Sequence, residues 1–281
     1  MALPAAFRGH GTFIYSARGT THAYGSPEAV ADAMVRCGMS SAWLRVHGRT
    51  DNFANNGATR DLFAALRDRG IAVAGWGWCQ GDDPVREAAL AVESLGDLGL
   101  TDYVADIEQG VNQAHWTPGE VATFLDRVRR ALPSAAHIAV SSFPIITWHV
   151  PALMVAADPY VDAFAPQAYW FRYPNAKMRN EFGTRYASDN AAAYVRLTID
   201  NWRSITAKPL IATGQAYWRE GATQEQSESK VTQFLRDFTA WDELAGFNWW
   251  HFGGGDAAMS QAMRDEIAAA RLDAKPFSNA V

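Results

Sequence analysis

Two cysteines, Cys37 and Cys79, are too few for a disulfide framework in a chain of 281 residues, and a reducing compartment is the reading they support. Basic runs are equally scarce. None exceeds Arg129-Arg130, and the formal net charge is −5, so the electrostatic footprint of a nucleic-acid binder is missing. No apolar run approaches the ~20 residues that a membrane-spanning helix needs. The opening MALPAAFRGHG has no charged segment followed by an apolar one, so no secretory signal is expected. The expected location is cytoplasmic, or a site reached by lysis, on a phage or through a secretion apparatus. No His-x-His follows the first predicted strand, and neither a metal nor a cofactor is expected. Ser141-Ser142 lacks the G-x-S-x-G context of a serine hydrolase. The turn Ser16-Ala17-Arg18-Gly19-Thr20-Thr21 lacks the glycine fingerprint of a dinucleotide fold.

What the chain does have is a repeating alternation. Eight β-rich runs stand near Thr12–Ser16, Ala42–His47, Ala72–Cys79, Tyr103–Glu108, His137–Phe143, Ala163–Tyr169, Leu210–Tyr217 and Gly246–Phe252. Most are nearly continuous apolar runs, as parallel strands covered by helices require. Helical signals separate them. Ser26-Pro27-Glu28 opens a stripe of Val30, Ala33, Met34 and Cys37 that ends at Gly38. Leu62, Phe63 and Leu66 end at Gly70, and Asp83-Pro84 opens a third helix with Asp83 as its cap. Thr117-Pro118-Gly119-Glu120 reads as a capping box, and further helices start after Pro151, near Ser188, at Thr223 and near Asp256. Eight β–α pairs predict an α/β chain folded as a single (β/α)8 barrel, residues 1–281, with a core of about 11–272 and a frayed tail from Asp273. A doubly wound open sheet is the alternative.

Tryptophan is abundant, with 11 residues. Trp76, Trp78, Trp116, Trp148, Trp170, Trp218, Trp249 and Trp250 fall at or just after predicted strand ends, where barrel chemistry collects. Trp43, Trp202 and Trp241 do not. Aromatic faces stack on the C–H faces of sugar rings; plugging the barrel top is the other use for such residues.

In YVADIEQG, Tyr103 to Gly110, Asp106 and Glu108 share one strand face, their Cα atoms roughly 6.6 Å apart at ~3.3 Å per residue. The self-consistent register turns Ala105 and Ile107 to the helices and the acids inward, because carboxylates under helices are costly. Two carboxylates in one partly dry pocket cannot both ionise easily, so one pKa rises and that group can donate a proton near neutral pH. Glycosidic cleavage needs such an acid and a charge to stabilise an oxocarbenium-like centre. Glu108, longer and nearer the mouth, is assigned the acid; Asp106 is the stabiliser, orienter or nucleophile. A pair bonded to a cation such as Arg45 is the alternative.

D-x-E closing the fourth strand resembles the barrel glycoside hydrolases that cut amino-sugar polymers, the family 18 chitinases and family 25 lysozymes. Tyr169 is similar to the chitinase tyrosine that contacts the substrate acetamido group. Within Phe247-Asn248-Trp249-Trp250 a Trp looks like the aromatic floor of a sugar subsite. Family 18 reads D-x-x-D-x-D-x-E here, whereas this chain has Thr101 and Val104 at the first two acidic positions. The first strand, Gly11 to Ser16, also lacks the Asp that the lysozyme family implies.

The remaining candidates surround that pair. QAYW occurs twice, so Gln167 with Tyr169 and Gln215 with Tyr217 share their strand faces and can reach sugar hydroxyls or form a hydrogen-bonded plug. Arg45 and His47 end the second strand, His251 the eighth, and Asp82 follows the third. The 170–187 segment, with Phe171, Tyr173, Phe182, Tyr186, Arg172, Lys177, Arg179 and Arg185 against Glu181, reads as an aromatic, basic lid suited to an anionic glycan such as peptidoglycan, or as a solvated loop. Three functions remain in play: a glycoside hydrolase on an amino-sugar polysaccharide; an inactive barrel that binds glycan; and another barrel enzyme with a phosphate site at Gly253-Gly254-Gly255.

Overall fold

The computed structural model describes residues 2–172, 176–183, 190–218, 222–253 and 259–278. Eight parallel strands close in sequential order: β1 (Gly9–Ile14), β2 (Ser41–His47), β3 (Ala72–Cys79), β4 (Tyr103–Ile107), β5 (Ile138–Ser142), β6 (Ala163–Ala168), β7 (Ile211–Gln215) and β8 (Gly246–Trp250), with β8 pairing back onto β1. The chain is therefore an α/β (β/α)8 barrel, and the open-sheet alternative falls. Among the described residues no helix is long and apolar enough to cross a membrane.

Among the described residues ten helices surround the strands: α1 (Ala17–Tyr24), α2 (Pro27–Arg36), α3 (Gly57–Asp68), α4 (Pro84–Gly96), α5 (Pro118–Ala131), α6 (Pro151–Ala157), α7 (Ala176–Phe182), α8 (Ala191–Arg203), α9 (Gln224–Asp237) and α10 (Gln261–Ala269). The capping boxes at Thr117/Glu120 and Thr223/Gln226 both form, satisfying backbone N–H groups that have no partner within the helix. Asp83 caps α4. Two helices lie outside the eightfold expectation. Helix α1 is short and polar, with only Ala17 and Thr20 buried, and gives no apolar stripe to read. Helix α7 lies within the loop after β6. Ser188, expected to open a helix, and Asp256 lie outside the described residues; α8 is capped by Asn190 and α10 by Ser260.

Strand alternation sorts the core into two layers. Tyr103, Ala105 and Ile107 of β4 join the shell packed under the helices. Phe13, Trp43, Ala74, Trp76, Val104, Ala139, Ala165 and Ile211 fill the barrel interior. Leu3, Ala6 and Phe7, around a 3-10 turn at Ala5–Phe7, plug the end where the strands begin; Trp43 Nε1 donates to the Ala6 carbonyl at 2.8 Å. The first strand thus starts at Gly9, before the expected Thr12. As far as Ser278 the tail is docked: Phe277 packs edge-on against Trp241, and Ser278 N–H donates to the Leu244 carbonyl at 2.7 Å.

Candidate active site

Above Trp43 and Trp76 the interior changes from apolar to polar. Strand pairing sets Trp78 beside Asp106 and Asp106 beside Ser141. Gln167 of β6 reaches across to them. Its amide Nε2 stands 2.9 Å from Asp106 Oδ1, 2.7 Å from Glu108 Oε1 and 3.1 Å from Ser141 Oγ. Asp106 is 6 % exposed. Burial drives its carboxyl well above the usual range, and the charge of Glu108 pushes it further; Ser141 and Arg45 oppose the rise weakly. Burial raises Glu108 too, but hydrogen bonds from Gln167 and Asp106 hold it back. Burial and mutual repulsion thus favour one proton shared by the pair. Both carboxyls shift upward, the outer Glu108 assigned as the acid among them.

The pair divides one cleft into two arms. The first, about 460 Å³, is lined by Tyr15, Arg45, Trp76, Trp78, Gln80 and neighbours. The second, about 660 Å³, is lined by Phe143, Trp148, His149, Tyr169, Phe171, Tyr217 and neighbours. Asp106, Glu108, Asn112 and Trp250 border both. Trp250 forms a partition, with ring centroids 5.7 Å from Trp76 and 6.3 Å from Tyr169. Ser142 Oγ donates to the Ile107 carbonyl at 2.7 Å, fixing the backbone from which Glu108 projects. The following loop is shaped by Gly110, Asn112 and Gln113, all at positive φ.

The sequence candidates divide accordingly. Asp106, Glu108, Gln167, Tyr169, Tyr217, Trp76, Trp78, Trp250 and Arg45 come together along the cleft. Four others do not. Trp170 and Trp249 are fully buried in the outer shell, where Trp170 stacks on Phe234. Trp249 donates to His10 Nε2 at 2.7 Å. Trp218 packs against the same shell. Alternation alone opposes Trp170 to Tyr169, Trp218 to Tyr217 and Trp249 to Trp250. Trp116 is likewise buried, against Phe124.

His47 also points away from the cleft. A register shift between Arg45 and His47 turns its ring outward over Gly77, where an added Cβ would lie 2.0 Å from Nε2. There His47 meets the Tyr103 hydroxyl at 2.7 Å, and burial lowers its pKa to about 4. Gln215 faces inward but serves the backbone: Oε1 accepts from Phe171 N–H at 2.8 Å and Nε2 donates to the Tyr217 carbonyl at 3.1 Å.

Asp82 pairs with Arg49 rather than lining the cleft. His251 is half-buried and its pKa falls to about 4 through desolvation. Of the expected lid, Tyr173, Arg185 and Tyr186 lie outside the described residues, as do Gly254 and Gly255 of the phosphate candidate. The described part of the lid forms α7, clipped to Trp148 of the loop after β5. Lys177 Nζ sits 4.0 Å over the Trp148 ring, and Trp148 Nε1 donates to Glu181 at 2.5 Å. Tyr15, Gln80, Asn112, Phe143 and His149 were not legible as cleft residues; Tyr15, Gln80 and Phe143 sit one residue past their strands, and that position is the signal available. Among the described residues no cluster of three or more His, Cys, Asp or Glu is placed to hold a metal ion.

No protein-family model matches the chain, and no curated protein matches it. Solved structures do match in backbone. Active domain 2 of a thermostable chitinase from Pyrococcus furiosus, studied as catalytic-site mutants with chito-oligosaccharides, has a TM-score of 0.60 at 12 % identity, covering 95 % of this chain and 97 % of that one. A family 18 chitinase from the chitin utilization locus of Flavobacterium johnsoniae has 0.59 at 10 %, covering 97 % and 96 %. An endo-β-N-acetylglucosaminidase from Cordyceps militaris has 0.57 at 12 %, covering 94 % and 91 %. At these identities the likeness is one of fold.

Proposed function

We propose that the protein is a glycoside hydrolase acting on an amino-sugar polysaccharide, peptidoglycan-like or chitin-like, through Asp106 and Glu108. The observation that carries this reading is the proton-sharing carboxyl pair at the junction of two aromatic-lined arms. A polymer lying along both arms puts one of its glycosidic bonds over that junction.

The geometry narrows the chemistry. One Gln167 nitrogen reaches both carboxyls, so the two acids stand side by side instead of flanking a bond from opposite faces. The ~6.5–9.5 Å gap that admits an attacking water between two carboxylates is closed. Glu108 then protonates the leaving oxygen, and the sugar–oxygen bond breaks. Asp106 supplies Glu108 with its proton and orients it. The nucleophile comes from the substrate: the N-acyl oxygen beside the anomeric carbon attacks, and water later opens the cyclic intermediate, restoring the proton. Tyr169, on the second arm, is suited to hold that acyl group. An N-acylated sugar is required on this route.

Incubation with purified sacculi and with chitooligosaccharides, with products read by mass, tests the reading. New reducing ends are expected from at least one, and Glu108→Gln is expected to lower turnover by about 10³-fold or more while oligosaccharide binding persists. Wild-type turnover in that variant removes Glu108 from the acid role.

A second reading, a glycan-binding barrel without activity, is favoured by one observation. Val104, where a relay carboxylate stands in family 18, is wholly buried in the apolar interior layer beneath Asp106. That reading predicts affinity for the same glycans with no reducing ends after long incubation.

A further inference from the structure

The first arm holds polar groups that the protein itself leaves unmatched. Arg45 lies among three rings, its guanidinium carbon 4.6 Å from the Tyr15 centroid, 4.8 Å from Phe53 and 5.4 Å from Trp76. Among the described residues its one hydrogen-bond acceptor is the His47 carbonyl, a long 3.4 Å from Nε. Among the described residues no carboxylate comes within ion-pair distance of it. Arg49, on the same arm, is by contrast neutralised by Asp82. Two further side chains that line the arm each keep a buried polar atom with no partner among the described residues: the Trp78 indole N–H and the Gln80 carbonyl oxygen. Gln80 is 3 % exposed and its amide nitrogen is committed to the Asn112 carbonyl at 3.2 Å, which leaves Oε1 facing no donor.

An unmatched buried donor or acceptor costs about 1–3 kcal/mol, and native structures seldom keep several together without a use. The set here is specific: a planar cation held rigid by aromatic faces, one neutral donor and one neutral acceptor. A carboxylate satisfies the first two, and an amide N–H or hydroxyl satisfies the third. Burial raises the pKa of both Asp106 and Glu108 at the end of the arm, which weakens the repulsion that an anionic ligand meets there.

We propose that the first arm is a subsite for a sugar residue bearing a carboxylate, read by Arg45 and Trp78, with Gln80 accepting a hydrogen bond from the same residue. This rests on the polysaccharide reading of the cleft and deepens it, since it selects an acidic amino-sugar polymer over a neutral one.

Calorimetric titration of the Glu108→Gln protein separates binding from turnover. The probes are chitotetraose, a peptide-free tetrasaccharide alternating N-acetylglucosamine and N-acetylmuramic acid, and a hyaluronan tetrasaccharide. The first is neutral, the second carries its carboxylate on a lactyl ether, and the third carries it on the ring. At least one acidic probe is expected to bind roughly ten- to hundred-fold more tightly than chitotetraose, the range of a charge-assisted Arg contact, with the gap narrowing in high salt. Whichever acidic probe wins identifies the carboxylate's position.

Arg45→Gln in the same background is expected to erase the preference, costing the acidic probes at least about ten-fold more affinity than chitotetraose. Acidic probes that bind no better than chitotetraose, or that fail to bind, overturn the proposal without any further variant. So does an Arg45→Gln loss that is equal for neutral and acidic probes. Absence of hydrolysis by the wild-type protein overturns the enzymatic reading alone and leaves this titration standing.

Discussion

The Gln167 amide and the Asp106 carboxyl, 61 residues apart in the chain, meet at 2.9 Å across the barrel floor. The same nitrogen holds Glu108. A neutral side chain thus stands over an acidic pair and stabilises whichever member is charged. Gln167 is a positioning residue in the proposed hydrolase.

Gln167→Leu keeps a side chain of similar volume and removes the donor. Glu108 loses the contact that restrains its pKa, so its proton affinity rises. The alkaline limb of the kcat profile, set by loss of the Glu108 proton, is expected to move to higher pH, and kcat at its optimum to fall on the order of 10-fold or more, with KM little changed. A variant that loses activity with an unshifted pH profile points to a structural role instead.

Asp106 links stability to pH in a definite direction. Its folded-state pKa is raised, so between the unfolded value near 3.8 and the folded value the native state binds the extra proton. The stabilisation from that proton is complete at low pH and is lost as pH rises through the folded pKa. Asp106→Asn cannot ionise. The melting temperature of the variant relative to wild type is therefore expected to climb with pH, by up to ~1.4 kcal/mol of stability per pH unit in the linkage window. A difference that is flat from pH 4 to 8 shows that the carboxyl titrates normally.

Trp78 and Trp170 look alike in sequence and are expected to fail differently. Trp170→Ala empties a fully buried site beside Phe234 and Trp249, at about 3–5 kcal/mol of stability. Trp78→Ala takes away a partly exposed cleft wall. Oligosaccharide affinity is expected to drop with a smaller change in denaturant midpoint. Paired urea melts and binding titrations distinguish the two outcomes.

The barrel was legible because its signals are local: apolar runs of strand length, helix caps, and glycines closing helices. The inward face of Asp106 followed from the cost of the opposite register, which would have traded Val104 and the acids for Tyr103, Ala105 and Ile107. The aromatic assignments were less secure because nearness to a strand end does not say which way a ring points. Trp170, Trp218 and Trp249 obey the same alternation that places Tyr169, Tyr217 and Trp250 in the cleft, and applying it strictly would have separated them. His47 was beyond reach, since the register shift that turns it onto Tyr103 depends on how β2 meets β3. The pairing of Gln167 with the acids joins β4 to β6, a contact that no spacing along the chain encodes.

Both described ends of the chain seal the same side of the barrel. Leu3 and Phe7 stop the interior below Trp43, and Ser278 is hydrogen-bonded to Leu244 just ahead of β8. Asp106 and Glu108 open at the other pole. A tether fixed to residue 2 or residue 278 therefore pulls along the barrel axis away from the trough, and molecules grafted to a bead by either end stand with their grooves facing the liquid.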